Sequence, residues 1–170
     1  MSKDATHVTN PQGIHLGAAP TIRVASKAII VRDGRLLVTV NSGPFQTFFI
    51  CPGGGHEHGE AAPDALRREC QEEIGCDVVV GKFAFLRDYI AADHEFADQD
   101  GWAHQLEAYF NCELAAGAQP HVTGQRDTWQ TGVAWIPLDG LAAQPLWPKA
   151  LARWLALPEA DRPGYLGNVN

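Results

Sequence analysis

The chain predicts an α/β fold: a single domain whose sheet is covered by helices on both faces. Three observations predict it. Strand-like apolar runs recur between residues 22 and 136, separated by turn signals. Two helical segments, one ending at Gly75 and one opening at Pro148, flank the later strands. A chain of 170 residues, 45% apolar and 19% charged, has enough material for one real core. The expected organisation is a loosely ordered arm over 1–20, one domain over 21–158 and a C-terminal tail over 159–170.

Taken in order, the first strands run over 22–31 and 36–40, joined by Asp33-Gly34, a strong hairpin-turn pair. Residues 48–51 form a short apolar run into a glycine-rich loop, Pro52-Gly53-Gly54-Gly55. The helix that follows has Pro63 near its start, Asp64 at the positive end of the dipole and Gly75 as its stop. Its Ala62, Leu66, Cys70 and Ile74 recur every fourth residue as an apolar stripe. Two strands are expected over 77–80 and 82–90, then a polar loop over 92–102. Residues 104–114 alternate: Leu106, Ala108, Phe110 and Cys112 share one face, Gln105, Glu107, Tyr109 and Asn111 the other. An irregular connection over 115–131 leads to a short strand at Trp135-Ile136. The last helix packs through Leu151, Trp154 and Leu155.

The first helix carries the chemistry. At 100° per residue, Glu72 lies about −60° and Glu73 about +40° around the axis from Glu69. Three carboxylates at such spacings repel one another, and a bare surface helix gains nothing from the arrangement. A hard divalent cation such as Mg²⁺ relieves that repulsion, because it takes oxygen ligands and leaves positions for water and phosphate. The plainer reading is a solvated acidic face. What weighs against it is the full pattern of residues 54–76, in which Gly54, Glu60, Arg68, Glu69, Glu72, Glu73 and Gly75 stand at fixed spacing.

That pattern resembles the Nudix box of the Nudix hydrolases, filled without gaps, with Cys70 and Cys76 where the family carries larger aliphatic side chains. The Phe-Phe-Ile-Cys-Pro-Gly-Gly approach over 48–54 and the Trp135-Ile-Pro-Leu-Asp-Gly-Leu141 segment extend the resemblance. It implies an α/β/α sandwich with a mixed central sheet. It also implies metal-dependent hydrolysis of a pyrophosphate bond in a nucleoside di- or triphosphate, or in a nucleoside diphosphate linked to a further group. The implied cofactor is Mg²⁺ or Mn²⁺, held by Glu69, Glu72, Glu73 and the Gly53 carbonyl. Arg68 would orient a neighbouring carboxylate with Glu60 in support, and Glu72 or Glu73 would act as general base.

Family members often complete the site with a carboxylate from outside the box. Glu107, on the polar face of its strand, is the first candidate and Glu95 the second. Gln130 and Thr131 stand where members carry an acid before the tryptophan, and Asp127 is the nearest substitute. Arg87 and His56 are candidate phosphate contacts; Arg23 and Lys27 could hold phosphate in the same way, with ordinary surface charge as their plainer reading. His56, His58, His94 and His104 fit no familiar zinc spacing. Phe45, Phe48, Tyr89, Phe96 and Trp102 offer stacking surfaces, or simply packing.

A net charge of −7 argues against binding nucleic-acid polymers, so the expected partner is a small nucleotide, with a homodimer open. Four cysteines without CxxC spacing read as reduced thiols in a cytoplasmic protein, and residues 1–20 do not read as a signal peptide. No apolar stretch is long enough to span a membrane. The markers of ADP-ribose and diadenosine polyphosphate enzymes are missing: Ala91 replaces the expected proline, and Ala92, Asp93 and His94 stand where the tyrosine would be. A nucleoside triphosphate or another small nucleotide leads by elimination. A catalytically silent nucleotide-binding or sensor protein, an ADP-ribose or dinucleoside-polyphosphate pyrophosphatase, and an isomerase or decapping-like enzyme are the alternatives.

Overall fold

The computed structural model describes residues 8–9, 15–16, 21–43, 46–95, 97–100, 103–125 and 129–170. Two short strands, β1 (Val8–Thr9) and β2 (His15–Leu16), pair antiparallel with each other, apart from the main sheet. The main sheet begins with β3 (Arg23–Arg32) and β4 (Arg35–Ser42). Their turn has Asp33 at φ 50° and Gly34 at φ 69°, the double positive-φ requirement of a tight hairpin of the type I′ kind. β5 (Thr47–Ile50) leads through the glycine loop into α1 (Ala62–Ile74), and β6 (Val78–Ile90) follows. A 3-10 turn at Ala91–Asp93 and the four-residue α2 (Ala97–Asp100) lie before β7 (His104–Leu114). The chain ends with β8 (Gln130–Pro137), β9 (Leu146–Trp147), α3 (Lys149–Ala156) and β10 (Tyr165–Asn168).

Strand order is β10-β6-β7-β3-β4-β5-β9, with β8 also on β4. The pairs β10–β6, β3–β7 and β5–β9 are parallel and the others antiparallel, so the sheet is mixed. β3 is shared: Arg23–Ile30 pair with β7, while Val31 and Arg32 pair with β4. That handover curls the sheet.

Alternation along β3 and β4 builds two cores. Ala28, Ile30 and Leu37 face α1, where they meet Leu66, Cys70 and Ile74. Ile29, Leu36 and Val38 face the other way, with Phe85, Tyr109, Leu151 and Trp154 beneath α3. The result is α/β/α, as the spacing of strands and helices predicted. α1 starts without a side-chain cap at Ala61 and stops at Gly75, φ 63°, whose N–H returns to the Gln71 carbonyl. Ala65 is buried more deeply than Ala62, so the stripe is rotated slightly from the predicted one.

Three expectations change. Residues 77–80 and 82–90 form one strand, because Gly81 bends the ladder without ending it; register shifts between Val80 and Phe85. A Cβ at Gly81 would lie 2.8 Å from the Asn111 carbonyl oxygen, so β6 and β7 approach closely there. The strand at Trp135-Ile136 is eight residues long, since pairing to β4 outweighs the weak apolar pattern of Gln130–Val133. Within 159–170, Tyr165–Asn168 add a parallel edge strand to β6. All four cysteines are free and buried; burial pushes the Cys51 thiol up to about 12 and Cys112 to about 11. Among the described residues no helix is long and apolar enough to cross a membrane.

Candidate active site

After β5, residues 52–56 run back along the free edge of β3. Ala28 N–H donates to the Pro52 carbonyl at 2.8 Å, Ser26 N–H to Gly54 at 3.0 Å, and His56 N–H to Val24 at 3.0 Å. Gly53 is needed in this run: its φ is 125°, and a Cβ there would sit 2.2 Å from the Ser26 carbonyl oxygen. The loop therefore lies flat on the strand, with the Gly53 carbonyl turned into a cleft.

α1 supplies one wall. Gly53 N–H donates to Glu73 Oε2 at 2.8 Å, and Glu73 is buried. A Cβ on Gly54 would fall 2.5 Å from the Glu69 carboxyl, so glycine there lets Glu69 lie against the backbone. Arg68 ties the wall together. Its Nε and Nη2 grip both oxygens of Glu60 at 2.8 and 2.9 Å, and Nη2 also donates to the Gly55 carbonyl at 2.9 Å. Nη1 donates to Glu69 at 3.0 Å and to Glu72 at 3.3 Å. The Arg68 hydrogen bonds, helped by the Glu57 N–H, hold the Glu60 carboxyl at about 2. The same bond to Glu60 raises the Arg68 guanidinium above its usual range.

β3, β6 and β7 supply the floor. In register, Ala25 and Arg87 flank Glu107, Arg23 pairs with Gln105 and Lys27 with Tyr109. Arg87 Nε donates to Glu107 Oε2 at 2.8 Å, Tyr109 OH donates to the same oxygen at 2.9 Å, and all three side chains are buried. Burial alone would raise the Glu107 carboxyl; Arg87, Lys27 and the two hydrogen bonds outweigh it and hold it below its ordinary value. Arg87 also donates to the Val169 carbonyl beyond β10. Lys27 Nζ donates to the Gly53 carbonyl. The cleft between wall and floor has a volume of about 330 Å³ and is lined by Arg23, Lys27, Gly53, Glu69, Glu73 and Glu107 among others.

The box residues named from the sequence thus converge, and Glu107 and Arg87 join them. Of the two cations read mainly as surface charge, Lys27 is half-buried and Arg23 exposed, and both line the cleft. The missed signal was position, since Lys27 interrupts the buried stretch Ala25–Ile30 on the face that carries Glu107's partners. His56 is bound to Ser26 Oγ at 2.7 Å and lines an adjoining cleft of about 590 Å³ with His58, His104, Ile22 and Val24. The two clefts share Arg23 and Gln105. His94 lies elsewhere, stacked on Tyr89 and bound to Asn168. Glu95 pairs on the surface with Lys149 at 2.9 Å. Gln130 props the wall from below, donating to the Glu73 carbonyl at 2.7 Å, and Thr123 Oγ1 donates to that of Glu72. Asp127, Phe45, Phe96 and Trp102 lie outside the described residues.

The donor set suits a hard divalent cation. Carboxylates and one carbonyl supply only oxygen, and a cation, the Lys27 ammonium, is already seated on the Gly53 carbonyl. Among the described residues no three Asp, Glu, His or Cys side chains form a finished ion cage. Arg68 engages Glu69 and Glu72, and the Gly53 N–H engages Glu73.

A family model for the NUDIX domain matches residues 21–157. Among solved structures, a MutT NUDIX hydrolase from Burkholderia pseudomallei is 26% identical over 70% of this chain and 85% of its own, with a TM-score of 0.53. A NUDIX hydrolase from Nitrosomonas europaea shares the fold at 13% identity, covering 94% of this chain and 84% of its own with a TM-score of 0.66. An ADP-ribose pyrophosphatase from Streptococcus suis does so at 20% identity, over 87% and 98%, with a TM-score of 0.57. No curated protein matches the chain. The curled mixed sheet, with an acidic helix beside its glycine loop, agrees with these matches. The chain belongs to the NUDIX domain family.

Proposed function

We propose that this protein hydrolyses the pyrophosphate bond of a nucleoside diphosphate linked to a further group. One observation carries the reading: an acidic wall and a cationic floor face each other across a single cleft, Glu69, Glu72 and Glu73 against Arg23, Lys27 and Arg87. Glu69, Glu72, Glu73 and the Gly53 carbonyl would hold Mg²⁺ or Mn²⁺, which when bound neutralises phosphate charge and lowers the pKa of bound water. The floor cations orient the phosphates. Arg68 keeps Glu69 and Glu72 on one side of the cleft. Glu72, whose side chain is 34% exposed against 15% for Glu69, takes the proton of the attacking water, while Glu73 stays tied to the loop. Glu107, held ionised and clamped by Arg87 and Tyr109, fixes the Arg87 guanidinium in the floor.

The adjoining cleft of about 590 Å³ favours a substrate with a group on the far side of the pyrophosphate over a plain triphosphate. The test is a screen over nucleoside triphosphates, ADP-ribose, nucleoside diphosphate sugars and dinucleoside polyphosphates, with Mg²⁺ or Mn²⁺, in which a coupled phosphatase reports the phosphomonoesters that hydrolysis of the pyrophosphate bond leaves. Metal-dependent turnover is expected on a two-ended substrate. Glu73→Gln should reduce it at least about hundredfold, the scale of removing one charge-stabilising group. Absence of turnover on every compound would favour the silent binding protein, and full activity in Glu73→Gln would remove the site assignment.

A further inference from the structure

We infer that Lys27 is a resident cation that a divalent ion displaces, and that the freed ammonium then holds the substrate's pyrophosphate. The inference rests on the reading above but adds a role to a residue outside the motif. Lys27 stands mid-strand on β3, opposite Tyr109 in the parallel ladder, with its stem running through a buried stretch. Its ammonium donates to the Gly53 carbonyl, and both residues line the cleft. Its charge reaches Glu107, whose carboxyl it helps hold ionised, and the buried thiols of Cys51 and Cys70.

The geometry sets up a competition. A divalent ion using the Gly53 carbonyl as ligand cannot share it with an ammonium, since both need the same lone pairs and like charges repel. The flexible four-carbon stem of lysine lets the ammonium leave without moving the strand. In the same cleft the displaced charge, which already faces Glu107, can turn toward a phosphate entering beside Arg23 and Arg87. In the resting protein the ammonium thus lowers the cost of crowding Glu69, Glu72, Glu73 and Glu107, and metal binding turns that cation toward the substrate. Metal and pyrophosphate then bind with positive coupling, and part of that coupling runs through Lys27.

The experiment uses the full chain, Mg²⁺ alone, and methylenediphosphonate as a pyrophosphate that cannot be hydrolysed. Calorimetry is run on wild type, Lys27→Met and Lys27→Arg, together with crystal structures with and without Mg²⁺. Lys27→Met should bind Mg²⁺ alone about three- to tenfold more tightly, the scale of removing one nearby like charge. With Mg²⁺ saturating, the same variant should bind methylenediphosphonate about ten- to hundredfold more weakly, the loss of one charge-assisted hydrogen bond. Lys27→Arg should keep diphosphonate affinity within about threefold, because it restores the charge. The Mg²⁺-bound crystal structure should show Nζ off the Gly53 carbonyl. A Lys27→Met protein that loses affinity for both ligands in parallel, as a merely structural lysine would, overturns the inference, as does Mg²⁺ bound with Nζ unmoved. In either case a metal-dependent wild-type enzyme leaves the hydrolase reading standing, whereas a wild type that binds no Mg²⁺ overturns both.

Discussion

Arg68 shows how much one side chain can organise. Its planar fork serves Glu60, Glu69, Glu72 and the Gly55 carbonyl, so a single rigid group spans the helix and the loop. Lysine has no such fork. Arg68→Ala should therefore weaken Mg²⁺ binding about ten- to hundredfold, as loss of an outer-shell partner does, with Arg68→Lys recovering only part; calorimetry on the purified variants reads it. The Arg68–Glu60 pair should also survive acid. Glu60 titrates at about 2, below its ordinary value of 4.5, so its link to Arg68 is present above 4.5 and is lost only as pH falls through about 2.

The element that decides the site is the loop over 52–56 laid along β3. Pro52, Gly54 and His56 make the backbone bonds of an added strand, and Gly53 turns between them at a φ that L side chains avoid. Gly53→Ala brings both a strained φ and a Cβ 2.2 Å from the Ser26 oxygen. It should cost at least about 2 kcal/mol in urea denaturation and should lift the Gly53 N–H from Glu73. Circular dichroism will show an intact fold if the damage stays local. The motif residues were legible from the sequence because helix geometry alone places Glu69, Glu72 and Glu73 together. The loop's course was not, since its partner, β3, lies some 30 residues upstream by number and no local pattern joins them.

At the scale of the whole molecule, three segments meet around the Arg87–Glu107 pair. Arg87 comes from β6, Tyr109 from β7 itself, and the Val169 carbonyl from beyond β10. Glu107 is held below its ordinary 4.5 in the folded protein, so its contribution to stability is complete above that value and lost as pH falls through the lower folded value. Denaturation midpoints measured from pH 7 down to pH 3 should fall more steeply for wild type than for Glu107→Gln below pH about 4.5. At pH 7 the variant should be the less stable, because Arg87 then remains buried without its carboxylate. Removing residues 165–170 should mimic part of this loss, as it takes away Arg87's second acceptor.

By itself the chain determined what local rules can determine. The hairpin at Asp33-Gly34, the two helices, the acidic ridge and the alternation over 104–114 follow from dihedral preference and periodicity, which act within a few residues. Tertiary structure decided which charges meet. Lys27 read more readily as surface charge until β3 was shared between β7 and the glycine loop, and the tail over 159–170 looked peripheral until β10 brought Val169 to Arg87. Such juxtapositions depend on strand order and register, set by burial summed over the entire sheet, and no window of neighbouring residues contains that sum.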